Sequence, residues 1–381
     1  MAHFIFNEEH EELRRTVRRF VEKEVAPFAQ EWDERGDFPS AMFERMGELG
    51  FLGLHLPEEY GGQGGDLVSY IVMIEELVRS GSGGFPMGIA VQAGFVIPVL
   101  EKFGSEQQKR DYLMPSIAGK RIACLGITEP EAGSDVSNVK TTARLDGDEY
   151  VINGSKTFIT NGLRADYVLL VAKTSPEKGY KGFSLFLVDK NLKGFEVGKK
   201  IEKVGMRCSD TVELFFDDCR APASALLGKR DEGFTQIMWE LNGERLVGAA
   251  GTIAGARHMI DLTLDYIKQR KVFGKPIASY QVWQHRMAAA AAKVEAAQNL
   301  VYTTLWRFLR GEYPVKEIAM CKVLCGQTCF EVADDCIQAF GGYGYTSEYA
   351  IGRMWRDARL HRIGGGSDEI MLEIIAKQMG L

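Results

Sequence analysis

Three apolar runs in the middle of the chain decide its fold: YVLLVAKT at 167–174, GFSLFLVD at 182–189 and TVELFFDD at 211–218. Each is short and rich in β-branched and aromatic residues, which is typical of buried strands. The dipeptides Asp146-Gly147 and Asn153-Gly154 favour tight turns between such runs. We therefore expect antiparallel hairpins here, and a parallel nucleotide-binding sheet is not indicated.

Segments with helical periodicity precede and follow this block of strands. The expected helical stretches are 8–32, 40–49 and 66–79 before it and 234–268, 281–310 and 315–340 after it. The glycine-rich segment 57–66 is expected to be a loop, and Asp66 suits the N-cap of the helix that follows. The later helices have lengths that suit an antiparallel bundle, in which the alanine run 288–292 permits close approach.

These patterns predict a mostly α-helical protein with a central β domain. We expect an N-terminal α domain over 1–121, a middle β domain over 122–229 and a C-terminal α domain over 230–381. A chain of 381 residues is long enough for two or three such units with a sizeable core.

Composition and charge exclude several classes of protein. The chain has 46 basic and 52 acidic side chains, a net charge of −6, which argues against a nucleic-acid partner. No apolar run reaches the roughly 18 residues of a spanning helix, so we expect no membrane insertion. The N-terminus lacks the pattern of an export signal. These features predict a cytoplasmic protein, although a processed chain of the mitochondrial matrix would have the same appearance.

The cysteines and histidines do not indicate a metal site. Seven cysteines without a CxxC pair fit a reducing compartment better than a disulfide framework. Cys321, Cys325 and Cys329 recur every four residues, which is better explained by small buried side chains on one helix face than by metal ligands. None of the six histidines pairs with another at helical spacing.

Two polar segments in the strand block indicate a binding site. GITEPEAGSD at 126–135 and NGSKTFITNG at 153–162 offer the hydroxyls of Thr128, Ser134 and Thr160 beside the ring of Phe158. Such groups and turn amides suit a planar heteroaromatic ring that carries a phosphate tail. By composition alone, however, segments of this kind more often only reverse the chain.

Taken in order with RKVFGKPI at 270–277, QAFGGYGYTSEY at 338–349 and RMWRDARLHRIGGGSDEI at 353–370, these segments resemble the acyl-CoA dehydrogenase family. The resemblance runs over essentially the whole chain. It implies a middle antiparallel β domain between an N-terminal α domain and a C-terminal four-helix bundle, assembled as a homotetramer with FAD. Members oxidise an acyl-CoA thioester to the trans-2-enoyl-CoA, as in fatty-acid β-oxidation, and pass electrons to electron-transfer flavoprotein.

The resemblance also implies which residues contact the flavin. The middle domain is expected to contribute Leu125, Ile127, Thr128, Ser134, Phe158, Ile159 and Thr160. A neighbouring subunit is expected to supply Arg270, Phe273, Gln281, Gln338, Gly341 and Gly342. Ser367 and Glu369 are expected near the adenine end.

The family reaction needs a base for the proton on C2 and hydrogen-bond donors for the thioester oxygen, while hydride leaves Cβ for flavin N5. Many members carry this glutamate in a Tyr-Glu-Gly-Thr pattern, but residues 364–367 are Gly-Gly-Gly-Ser. The isovaleryl-CoA and long-chain subgroups carry it before an arginine on a C-terminal helix. The resemblance therefore implies Glu244, followed by Arg245, as the base, and likeness to those subgroups.

Substrate contacts are expected from Ser134, Arg245, Gly365 and Gly366, with the Gly365 N–H available to the thioester oxygen. If Glu244 is the base, burial is expected to raise its pKa toward neutrality. Other interpretations stay open. Glu244 could be a solvated helix residue and Arg245 part of a structural ion pair, and the protein could be a flavin monooxygenase or oxidase of the same fold, or an inactive assembly subunit.

Overall fold

The computed structural model describes residues 3–381 and arranges them as helices, a central sheet and helices again. The first part contains eight helices: α1 Glu8–Phe20, α2 Ala29–Arg35, α3 Ala41–Glu48, α4 Leu67–Leu77, α5 Gly84–Ala90, α6 Ile97–Phe103, α7 Glu106–Gln108 and α8 Met114–Ile117. Asn7 caps α1 and, as predicted, the Asp66 side chain caps α4 by accepting from the Ser69 N–H. The single stretch expected over 8–32 is interrupted, because Pro27 cannot continue a helix interior.

The sheet has eight strands: β1 Ala123–Gly126, β2 Thr142–Asp146, β3 Glu149–Thr160, β4 Tyr167–Lys173, β5 Phe183–Asp189, β6 Phe195–Lys200, β7 Thr211–Pro222 and β8 Leu226–Leu227. Their order is β6-β7-β3-β2-β4-β5-β8, with β1 beside β4. Most pairs are antiparallel, as predicted, but β1 and β4 pair in parallel, as does one residue pair of β2 and β4. Asp146-Gly147 forms the predicted β2–β3 turn.

The turn predicted at Asn153-Gly154 is wrong. Both residues lie within β3, where the register against β7 shifts at a bulge between Ile152 and Gly154. Gly154 has a φ of 146° and a Cβ there would lie 2.5 Å from Thr141 Oγ1, so glycine serves a close approach of two strands. Asn153 pairs with Asp218 of β7 through its side-chain amide instead of reversing the chain.

The last part contains α9 Gly233–Gln269, α10 Gln281–Leu309, α11 Val315–Phe340, α12 Ala350–Ala358 and α13 Asp368–Gln378. Strands β9 Lys271–Val272 and β10 Lys275–Pro276 form a small hairpin between α9 and α10. Cys321, Cys325 and Cys329 are all free and buried on α11, which fits the prediction that they pack as small core residues.

The helix α9 belongs to two parts of the core. Its N-terminal residues, among them Ile237 and Leu241, pack with one face of β4 and β5, whereas Leu246 and later residues pack with α1, α4, α10 and α11. The opposite face of β4 packs against side chains of β3 and β7, so the continuous apolar run 167–172 is buried on both sides. The helix that bears Glu244 is thus held by both helical parts and the sheet.

The segment Gly84–Phe103, which spans α5 and α6, has the length and apolar composition of a membrane-crossing helix. In the structure 67% of its apolar window is buried inside the protein. Burial of this kind is typical of the core helix of a globular domain.

Candidate active site

The site is built around the junction of α9 with the glycine loop 364–367, which precedes α13. A Cβ atom placed on Gly365 would lie 3.1 Å from Glu244 Oε1, so the glutamate carboxyl faces the position that glycine leaves open. Gly365 and Gly366 have φ values of +68° and +104°, a backbone conformation that favours glycine. The structure therefore brings Glu244 and the glycine loop together.

Two cations hold this loop in place. Arg245 Nε donates to the Gly365 carbonyl at 3.0 Å, and Lys322 Nζ of α11 donates to the Gly366 carbonyl. Within residues 3–381, Arg245 has no carboxylate partner at salt-bridge distance, so its role as a structural ion pair is not supported. Its contact with the loop explains why arginine follows the glutamate.

Burial raises the pKa of Glu244 to about 7, and the opposing charges of Arg245 and Lys322 keep it from rising further. The residue is half-buried, and its carboxyl forms no hydrogen bond with the residues that the structure describes. The raised pKa distinguishes Glu244 from a solvated helix carboxylate. A free carboxyl with a pKa near neutrality can act as a general base.

The second group of predicted residues lies at the start of the sheet. The Thr157 N–H donates to the Thr128 carbonyl at 2.9 Å, which joins the two polar segments. Phe158 lies in a bulge of β3, has a φ of 59° and exposes 66% of its surface. A bulky residue in this strained conformation points to a functional constraint. The ring is thereby presented to a ligand.

The other predicted residues of this group differ in burial. Leu125 and Thr160 are half-buried and Ser134 is exposed. Ile127 and Ile159 lie in the core with exposures of 9% and 2%. Only backbone atoms of these two isoleucines can therefore face a ligand.

A third group lies at the far ends of α9 and α11. Arg270, Phe273, Gln281, Gln338, Gly341 and Gly342 are all exposed in the single chain. Phe273 stands at the tip of the β9–β10 hairpin with 97% of its surface exposed and a φ of 49°. The Arg270 guanidinium lies 5.2 Å from the ring centre of Tyr343. Within the described residues, the Phe273 ring has almost nothing to pack against.

The start of α13 carries the remaining predicted residues. Ser367 precedes the helix, and a hydrogen bond from its side chain lowers the pKa of Glu369, which is exposed. Ser367 therefore ends the glycine loop, and Glu369 lies in the first turn of α13.

Models of the acyl-CoA dehydrogenase N-terminal, middle and C-terminal domains match residues 7–120, 124–219 and 231–380. The chain belongs to the acyl-CoA dehydrogenase family. It is 40% identical over 377 residues to the long-chain specific acyl-CoA dehydrogenase, mitochondrial, of Sus scrofa, covering 98% of this chain and 87% of that protein. It is 38% identical over 373 residues to the short-chain specific acyl-CoA dehydrogenase of Clostridium acetobutylicum, covering 98% of each.

Solved structures of the family have the same fold. A chain described with the electron transferring flavoprotein of Acidaminococcus fermentans superposes with a TM-score of 0.96 at 37% identity, covering 99% of both chains. A glutaryl-CoA dehydrogenase from Mycobacterium smegmatis, solved in complex with FADH2, superposes with a TM-score of 0.92 at 31% identity, covering 98% of this chain and 95% of that one. The protein is thus an FAD-dependent oxidoreductase of the acyl-CoA dehydrogenase family.

The residues present fit a flavin. Two exposed aromatic rings, Phe158 and Phe273, are held in left-handed backbone at positions where the resemblance predicts contacts with the cofactor. Thr128 and Thr160, in the two polar segments, are half-buried and carry hydroxyls. These are the apolar faces and polar groups that a planar ring system requires.

Sequence reasoning missed the ion pair beneath this surface. Lys156 is fully buried and its Nζ donates to Glu129 Oε1 at 2.8 Å and to the Ile127 carbonyl at 2.9 Å. Glu129 also accepts from the N–H groups of Lys140 and Thr141. Glu129 lies in the first polar segment and Lys156 in the second. A charged residue flanked by strand residues was the sequence signal that could have indicated this buried pair.

Proposed function

We propose that this protein dehydrogenates an acyl-CoA thioester at C2 and C3 with Glu244 as the base, as in the long-chain and isovaleryl-CoA subgroups. The observation that carries the proposal is the 3.1 Å separation between Glu244 Oε1 and the site of a Cβ on Gly365. A carboxyl reaches the same region from α9 that the side chain of residue 365 would reach from the loop.

Each residue of the candidate site has a separate role in the reaction. Glu244 takes the proton from C2, and the pKa near 7 matches this task at neutral pH. The Gly365 N–H, which donates to no residue in 3–381, is available to the thioester oxygen as negative charge develops there. Arg245 keeps the loop in register through the Gly365 carbonyl. Bound FAD supplies the hydride acceptor, held by Thr128, Phe158 and their neighbours.

Assembly and electron transfer extend this proposal. We infer a homotetramer, because Phe273 and Arg270 are exposed in one chain and α10 presents Ala288, Ala289 and Ala292 to solvent. Electron-transfer flavoprotein is the proposed electron acceptor, in line with the structural relative described with such a protein. All seven cysteines are free and buried, which supports a reducing compartment such as the cytoplasm, with the mitochondrial matrix as the alternative.

The test is anaerobic flavin bleaching by acyl-CoA in a single turnover, in the wild type and in Glu244→Gln. Because only the carboxylate accepts a proton, the wild-type rate should rise with pH through a midpoint near 7 and level off above it. Glu244→Gln should lower the rate by about 10²-fold to 10⁴-fold at every pH while retaining FAD.

Wild-type bleaching by Glu244→Gln would exclude Glu244 as the base. The alternative function, a flavin monooxygenase or oxidase of the same fold, predicts no bleaching by acyl-CoA and a reaction with oxygen instead. A panel of thioesters of varied length and branching in the same assay identifies the substrate.

A further inference from the structure

A row of polar side chains on α9 leads from Glu244 toward the surface. Glu232, Gln236, Glu240 and Glu244 follow one another at four-residue spacing, so each lies near the next along the helix surface. Each step rises by about 6 Å along the axis, so the row extends for about 18 Å. Glu232, immediately before the helix, is exposed, whereas Gln236 and Glu240 are 4% and 3% exposed.

The two middle members of this row have unsatisfied polar atoms. Neither oxygen of the Glu240 carboxyl has a hydrogen-bond partner among the described residues, and neither does Gln236 Oε1. Buried polar groups are rarely left unpaired, because desolvation without a partner costs free energy. Buried oxygens without a protein partner can accept hydrogen bonds from water.

The outer end of the row opens into a cavity. This cavity has a volume of about 680 Å³ and is lined by Glu232, Gln236 and residues that follow α6, including Gly104 and Ser105. Lys229, at its edge, is 80% exposed, so the cavity meets solvent. Gln236 therefore borders the cavity and lies about one helical turn before the buried Glu240.

We propose that Glu240, with water bound by Gln236, conducts the proton that Glu244 takes from C2 to this cavity and so to solvent. The proposal rests on Glu244 being the base. In each turnover the C2–H bond breaks and Glu244 binds the proton, while bound FAD would accept the hydride from C3. A protonated Glu244 cannot act again until it loses that proton, and an exit along the row would release it while product still covers the substrate side.

The charges around Glu240 are compatible with this role. Burial raises the pKa of Glu240 well above its ordinary value, the negative charge of Glu244 raises it further, and Arg245 opposes both. Tyr70 of α4 faces the same two carboxyls with a buried hydroxyl that has no partner in residues 3–381. Lys322 acts on Glu244 from α11. Burial and the neighbouring carboxylate therefore favour the protonated form of Glu240, which can release its own proton toward the cavity as it receives one from Glu244.

The experiment separates proton abstraction from proton release. A 3-thia-acyl-CoA, in which sulfur replaces C3 so that no hydride can leave, is bound to excess holoenzyme in D2O, and deuterium incorporation at C2 is followed by mass spectrometry. Glu240→Gln should slow incorporation about tenfold or more, whereas flavin bleaching by an oxidisable acyl-CoA at its pH plateau changes by about twofold or less. Asp265→Asn, the same chemical change on an exposed part of α9, is the matched control and should alter neither rate.

Deuterium incorporation by Glu240→Gln at the wild-type rate would overturn the relay. Gln236→Leu, which removes the polar atoms at the cavity end, should slow deuterium incorporation as well. If Glu240→Gln does not retain FAD, the rate of incorporation in Gln236→Leu tests the relay in its place. If Glu244→Gln loses both flavin bleaching and deuterium incorporation while Glu240→Gln and Gln236→Leu incorporate deuterium at the normal rate, the relay is rejected and Glu244 remains the base. Bleaching that survives in Glu244→Gln rejects the proposed base instead.

Discussion

At the scale of single residues, the site depends on an exchange between two positions. Gly365 lacks the side chain that many family members carry there, and Glu244 reaches the vacated region from another element. The positive φ of Gly365 favours glycine, and a side chain at this position would crowd the nearby Glu244 carboxyl. Glycine at 365 and glutamate at 244 therefore depend on each other.

We predict that Gly365→Ala lowers the single-turnover bleaching rate by about 10–100-fold, because its Cβ would displace a carboxylate that tolerates little misplacement. The Cβ site is 3.1 Å from Glu244 Oε1. The measurement is stopped-flow absorbance of the flavin at equal FAD content. Gly364→Ala is the matched control: its nearest atom would be Leu360 Cδ1 at 3.7 Å, an ordinary contact. Equal losses in the two variants would contradict the steric explanation.

At the scale of elements, the buried ion pair of Glu129 and Lys156 couples β1 to β3. It joins the first polar segment to the strand that presents Phe158. Burial lowers the pKa of Lys156 to about 8, although the charge of Glu129 opposes the shift. The pair therefore stabilises the relative position of the two segments and holds the exposed ring in its bulge.

Lys156→Met should lower the free energy of unfolding by about 3–5 kcal/mol, because it leaves the Glu129 carboxylate buried without its cation. Urea denaturation monitored by circular dichroism measures the loss, and flavin fluorescence reports FAD release at lower urea. The double variant Glu129→Gln/Lys156→Met removes the unpaired charge and should recover part of the stability. A double variant as unstable as Lys156→Met would show that the charge is not the cause.

At the scale of the whole molecule, one helix has a side with no partner in its own chain. On α10, Met287, Ala290 and Val294 face the core, whereas Ala288 and Ala292 are exposed. Beside it, Trp283 and Met287 border an apolar groove of about 290 Å³ with Ile260 and Leu264 of α9. Small exposed residues next to an apolar groove are suited to close packing against another subunit.

Ala292→Glu should therefore reduce the proposed assembly to a smaller species and lower the FAD content, because the flavin contacts proposed for Phe273 and Gln338 of a neighbouring subunit would be lost with it. Size-exclusion chromatography with light scattering gives the mass, and flavin absorbance gives the occupancy. Ala41→Glu, an equally exposed alanine at the start of α3, should change neither quantity. An unchanged mass for Ala292→Glu would place the subunit interface elsewhere.

Local patterns in the sequence determined much of this protein. The order of helices, strands and helices follows from periodicity, since apolar residues that repeat every two or every 3.6 positions select strand or helix whatever lies far away. The Asp66 cap and the Asp146-Gly147 turn also follow from neighbouring residues. The family and its expected base came from motifs whose order and spacing are themselves properties of the sequence.

Contacts between residues far apart in the sequence determined the features that local patterns did not predict. Asn153-Gly154 became a bulge because Thr141, twelve positions before Asn153, packs against it. The pKa of Glu244 depends on burial and on Lys322 from a helix that follows much later. The pairing of Glu129 with Lys156 likewise joins residues 27 positions apart. Burial and charge depend on which groups the folded chain brings together, and only the tertiary structure sets those distances.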